Sequence, residues 1–173
     1  MNKPVRACQY LVYTKHEEER KMILTQKETD ILKDLKSQEQ LCIDKYKKYE
    51  QEACDPQLKN VFSTLRAAEE NHLMTVAKLL SGEEVQMPER SPKAGTQKYN
   101  GTPSSCDATK KNNDALLCKD MLAMEKHVSS VYDTGIFEFC SPTVRDTLAH
   151  IQKEEQNHGE MLYSYLAANN MYN

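Results

Sequence analysis

Two Glu-x-x-His motifs stand 86 residues apart in this chain, Glu69 with His72 and Glu155 with His158. Each follows a single glutamate, Glu39 or Glu125, by 30 residues. Residues three apart on a helix share a face one turn apart, so each motif presents a carboxylate and an imidazole in the same direction. Four carboxylates buried together would be strongly unfavourable if all were ionised, because each ion withdrawn from water carries a large desolvation cost. Two divalent cations would balance four negative charges, and two imidazoles would complete their shells. Oxygen and nitrogen donors without thiolate suit iron or manganese better than zinc. The expected ligands are therefore Glu39, Glu69, His72, Glu125, Glu155 and His158, and the expected cofactor is a pair of Fe or Mn ions. A second account of the same residues stays open: a layer that has lost its metal, or whose carboxylates share protons instead.

Such a layer needs helices to hold it, and the punctuation of the sequence supplies four. Thr25-Gln-Lys-Glu28 reads as a capping box opening a helix over residues 26–52. Asp55-Pro56 is an N-cap with a first-turn proline, so a second helix runs to about Ser81 and stops at Gly82. Residues 83–112 are rich in Gly, Pro, Ser, Thr and Asn and read as a long connection. A third helix is expected from about Asn113 to Phe139, and Ser141-Pro142 caps a fourth that reaches Ala168. Heptad stripes on all four are apolar except for tyrosines, cysteines and the six candidate ligands. Glu39 and Glu69 lie 16 and 14 residues from Asp55, hence at similar depth in an antiparallel pair, and Glu125 and Glu155 repeat that arithmetic about Ser141.

The halves also repeat without a gap. A slide of 86 residues pairs Lys33-Asp34 with Lys119-Asp120, Tyr46 with Tyr132, Cys54 with Cys140, Pro56 with Pro142 and His72 with His158. The expectation is an all-α four-helix bundle of two related hairpins, 25–82 and 113–169, behind an N-terminal extension, 1–24. The connection is long enough to cross a bundle of roughly 40 Å, which is the single-crossover layout of ferritin-like folds.

Tyr46 and Tyr132 fall seven residues beyond Glu39 and Glu125 on the same stripes. Either hydroxyl could bond a ligand carboxylate or serve as a one-electron donor in catalysis, or each could be an aromatic core residue with a satisfied hydroxyl. Cys42 and Cys118 read as small core residues. Cys54 and Cys140 sit beside the two turns, where thiols would either cross-link chains or serve structure. With Cys8 and Cys106 they form no Cys-x-x-Cys pair, and reduced thiols are the default inside a cell. His16, His127 and His150 lie off the layer and read as solvated.

Composition excludes several partners. Lys and Arg number 23 against 26 Asp and Glu, a balance that gives no basic face for nucleic acid. No stretch approaches the roughly 20 apolar residues of a membrane span, and no secretory-type apolar stretch occurs in the first twenty residues, so synthesis in the cytoplasm is expected. A short extended segment at residues 8–14 is conceivable.

The paired Glu and Glu-x-x-His pattern resembles the ferritin-like superfamily of di-metal carboxylate proteins, including rubrerythrins and bacterioferritins. That resemblance implies a metal pair bridged by Glu69 and Glu155, with reaction toward oxygen, peroxide or ferrous iron. Departures narrow it: no cysteine-ligated iron domain is present, and Met121 and Leu122 stand where rubrerythrins carry an extra glutamate. No fifth helix follows the fourth, which speaks against a large iron-storing cage. The stretch LKDLKSQEQLCIDKYKKYEQEACDPQLKNVF is similar to ferritin-like spore coat proteins of the coat F type. This second resemblance implies deposition in a spore coat, with a homodimer or coat-protein assembly as partner. Two functions follow: a redox-active di-metal protein, or a structural coat protein with a vestigial or stabilising site.

Overall fold

The computed structural model describes residues 21–85, 99, 101 and 105–172. The segment considered extended at residues 8–14, His16, Cys8, the first twenty residues of the extension and the middle of the crossover lie outside them. Four helices are present: α1 Gln26–Glu52, α2 Pro56–Leu80, α3 Ala108–Glu138 and α4 Pro142–Ala168. Among the described residues there is no strand.

The helix starts follow local chemistry. Thr25 and Glu28 close the expected capping box, the Glu28 amide donating to Thr25 Oγ1 at 3.2 Å and the Thr25 amide to Glu28 Oε2 at 2.8 Å. Asp55 accepts from the Gln57 amide at 2.9 Å, ahead of Pro56, and Ser141 accepts from Val144 ahead of Pro142. Helix α3 corrects the expected start at Asn113: Asp107 is its N-cap, accepting from the Lys110 amide at 2.8 Å. Its first turn is exposed, so no apolar residue there marks the helical period. The second helix ends at Leu80 with Gly82 at φ +84°, where a Cβ would stand 2.8 Å from the Met22 carbonyl oxygen. Met22 is buried and its amide donates to the Gly82 carbonyl at 2.7 Å, so the chain just before α1 packs on the end of α2.

Each turn is short, which makes α1–α2 and α3–α4 antiparallel hairpins. Contacts between hairpins fix the rest. Tyr46 reaches Glu125 while Tyr132 reaches Glu39, and Lys27 pairs with Glu138, so α1 and α3 run antiparallel. Along α2 and α4, Glu69 meets His158 and His72 meets Glu155, again antiparallel. Helices α2 and α3 therefore point the same way, and the connection between them must traverse the bundle.

A pair of carboxylates ties the hairpins together and obeys the 86-residue repeat. Asp114 of α3, fully buried, accepts from the amides of Cys54 and Asp55 at 2.7 and 2.9 Å. Its counterpart Glu28 of α1 accepts from the Cys140 amide at 3.2 Å. Each hairpin thus satisfies backbone donors in the turn of the other, groups that would otherwise be orphaned at a helix start. Leu32, Leu35, Phe62, Leu65, Leu148 and Ile151 fill the core on either side of the candidate layer. Gly135, the break in the α3 stripe, lets α1 and α4 close over it: a Cβ would meet Ile31 at 3.4 Å and Leu148 at 3.8 Å.

The cysteines beside the turns are bonded. Cys54 is joined to Cys106 within the chain, with Cα atoms 6.1 Å apart, and Cys140 is disulfide-bonded as well. Both take the structural role that is one of the two readings open for them, and the reduced default inside a cell does not describe them. Cys42 and Cys118 are free and buried.

Candidate metal centre

The structure brings the six expected ligands into one layer. Glu39 and Glu69 are fully buried, and Glu125, Glu155, His72 and His158 are at most 5% exposed. They form two groups of four donors, each group with its ligand atoms within 4.8 Å of one another. One group is Glu39, Glu69, His72 and Glu155; the other is Glu69, Glu125, Glu155 and His158. Glu69 and Glu155 belong to both, as bridging carboxylates would. Both imidazoles turn Nδ1 inward: His72 Nδ1 lies 2.9 Å from Glu155 Oε1 and 3.2 Å from Glu69 Oε2, and His158 Nδ1 lies 3.0 Å from Glu69 Oε1. The rings stack with centroids 5.4 Å apart.

These residues fit a pair of cations by their crowded acceptors. Glu39 Oε2, Glu125 Oε2 and both oxygens of Glu155 are buried and share only the two inward Nδ1 atoms, which lie 2.9 Å from Glu155 Oε1 and 3.4–3.8 Å from the other three oxygens. Buried acceptors short of donors are costly, and four in one layer call for a positive group between them.

The electrostatics show how the layer behaves without one. Burial pushes the Glu39 carboxyl up from 4.5 to about 7, with the nearby Glu69 charge adding to the rise against the lowering effect of His72. Burial also raises Glu155 well above the carboxylate range, helped by Glu69 and Glu125. Burial acts to raise Glu69 too, but its contacts with His158 and His72 win and hold it well below the usual range. For the histidines burial favours the neutral ring, yet the surrounding carboxylates prevail. Glu154, Glu155, Glu39 and Glu69 raise His72 well above its ordinary value, and Glu125 and Glu69 lift His158 to about 10. Protons on imidazole and carboxyl thus stand where cations would.

Tyr46 and Tyr132 are fully buried, and each reaches across to the other hairpin: Tyr46 Oη donates to Glu125 Oε1 and Tyr132 Oη to Glu39 Oε1. Burial, then the layer's carboxylates, pushes both phenols well above their ordinary value, which keeps them protonated as donors. Cys42 and Cys118 stay outside both donor groups, and burial raises both thiols, which suppresses the thiolate a metal would need.

One residue escaped the sequence reading. Glu154 Oε2 lies 2.9 Å from His72 Nε2, on the side of the ring facing away from the layer, and His150 Nε2 lies 3.5 Å from Glu154 Oε1. His150 is thus half-buried beside a carboxylate, not solvated as expected, whereas His127 is exposed. A carboxylate on the outer nitrogen of a ligand histidine fixes its tautomer and orientation. The available signal was the acidic doublet Glu154-Glu155, one residue of which must leave the stripe. The repeat does not predict it, because the position related to Glu154 is Ala68.

Fold and layer together define an all-α four-helix bundle with a buried carboxylate–histidine cluster able to hold metal. Residues 113–173 match the family model of the Coat F domain. The match covers about a third of the chain, nearly all of the second hairpin, and includes Glu125, Glu155 and His158; it points to a protein of the spore coat type. No curated protein and no solved structure matches the chain. Among the described residues, no helix is long and apolar enough to cross a membrane.

Proposed function

We propose that this coat-type bundle binds two divalent cations, iron or manganese, bridged by Glu69 and Glu155. Glu39 and His72 would close the shell of one ion, and Glu125 and His158 that of the other. The observation that carries this reading is the pair of four-donor groups sharing two carboxylates, whose buried oxygens outnumber the two Nδ1 atoms that face them. The pattern also resembles that of ferritin-like di-metal carboxylate bundles. Iron or manganese held there would supply one-electron chemistry toward peroxide, oxygen or ferrous iron. The chain's own part is to orient the donors. Tyr46 and Tyr132 hold the terminal carboxylates, Glu154 holds His72, and the apolar residues on either side exclude water.

Elemental analysis of protein purified without chelators tests the reading. About two iron or manganese ions per chain are expected, and Glu69→Ala with Glu155→Ala should abolish them. Continued absence of metal after anaerobic loading with ferrous iron refutes it.

A structural reading has its own support. His158 and Glu69, and His72 and Glu155, can balance charge between themselves, and intrachain disulfides suit a building block of a coat. Peroxide consumption by the reduced, loaded protein separates the two. Turnover favours the redox protein, and full occupancy without turnover makes the metal a stabilising element of a coat component.

A further inference from the structure

A cavity of about 490 Å³ opens on the outer face of the α3–α4 hairpin, and Glu125 and Glu155 are part of its lining. Both are 1% exposed. The cavity therefore borders two carboxylates of the candidate layer. Ser129 and Gly159 also line it. The internal repeat provides a comparison within the same molecule. At the positions related to Ser129 and Gly159 the first hairpin carries Ile43 and Leu73, branched side chains in place of a hydroxymethyl group and a hydrogen atom. Ile43 is buried and Leu73 half-buried, so bulk occupies on α1–α2 what is left open on α3–α4.

From this asymmetry we infer that the α3–α4 opening is the port through which a hydrated divalent cation enters the layer, with Ser129 and Gly159 keeping it clear. The inference rests on the metal reading above and assigns the route by which that site fills. Lys126 and Glu160 at the lining carry opposite charges, so the rim adds no net charge against an incoming cation. Glu155, shared by both donor groups, is the first bridging ligand that an ion from this side meets. The volume is ample for an ion still carrying waters, which the carboxylates and imidazoles replace in turn.

The test transplants the closed face onto the open one. Chelator-stripped wild-type protein and Ser129→Ile/Gly159→Leu are mixed with Mn²⁺, and the loss of free Mn²⁺ is followed by electron paramagnetic resonance. Uptake by the variant should slow at least tenfold while the final stoichiometry and helical content stay unchanged. Gly159→Met, a single flexible substitution, should slow it in the same direction and covers the case in which the double variant does not fold. Equal uptake rates for wild type and variants overturn the port and leave the metal site standing. No uptake by the wild type ends both.

Discussion

Removing metal from the layer should reverse the way stability depends on pH. In the chelator-stripped protein, Glu39 holds its proton up to about pH 7 because burial disfavours its charge, whereas in the unfolded chain it releases that proton near 4.5. The native state therefore binds more protons than the unfolded state across that window, and stability falls as pH rises through it. At about 1.4 kcal/mol for each tenfold change in proton affinity, the loss from Glu39 alone is on the order of 3 kcal/mol. No discount for solvent screening applies, since the side chain is fully buried. Glu155 acts in the same direction. His72 and His158 do too: their contribution is complete below 6.5 and declines as pH rises toward their raised folded values. Glu69, held low, loses its contribution only on the acid side of 4.5 and is silent here. For a chain of this size, 3 kcal/mol corresponds to a fall in Tm of roughly 10 °C between pH 5 and pH 8. With excess Mn²⁺ the sign should change, because cations compete with these same protons and bind more tightly as pH rises. Thermal unfolding followed by circular dichroism at several pH values, with chelator or with Mn²⁺, measures both curves. A metal-free Tm that is flat or rises from pH 5 to pH 8 would refute the protonated layer, and parallel curves with and without Mn²⁺ would refute the exchange of protons for metal.

Four further outcomes follow from particular contacts. Tyr132→Phe removes the hydroxyl that holds Glu39 and should weaken metal binding about tenfold or more, measured by competition with a chelator of known affinity. Tyr165→Phe, which alters a bond to Asp55 at the turn, should leave that affinity unchanged. Asp114→Ala strips two turn amides of their acceptor and should cost about 3 kcal/mol in chemical denaturation; a loss below about 0.5 kcal/mol would contradict the cross-hairpin clasp. Replacing both Cys54 and Cys106 with serine opens a link between residues 52 apart. By the chain-entropy account the variant should be less stable by about 4 kcal/mol, and an unchanged denaturation midpoint would show that the link adds nothing.

Local chemistry set much of this protein in advance. Thr25 with Glu28, Asp55 with Pro56, and Ser141 with Pro142 mark helix starts because orphaned amides there need an acceptor within two or three residues. The stripes follow from the 3.6-residue period, and equal counts from two turns put four glutamates at one depth. At α3 the cap cue was present in Asp107, but the exposed polar turn after it has no apolar period to declare a helix. Contacts between helices belonged to the tertiary structure alone. Tyr46 shares a stripe with Glu39 yet stands about 10 Å from it along the helix axis, so its hydroxyl goes to Glu125 on α3. Glu154 on His72, Asp114 on the Cys54 turn, and the Cys54–Cys106 link are of the same kind. So is the opening beside Ser129 and Gly159, since a small residue becomes a port only where a neighbouring helix leaves the space unfilled. Spacing along one chain sets the face and depth of a side chain; how neighbouring helices rotate and approach decides what that side chain meets.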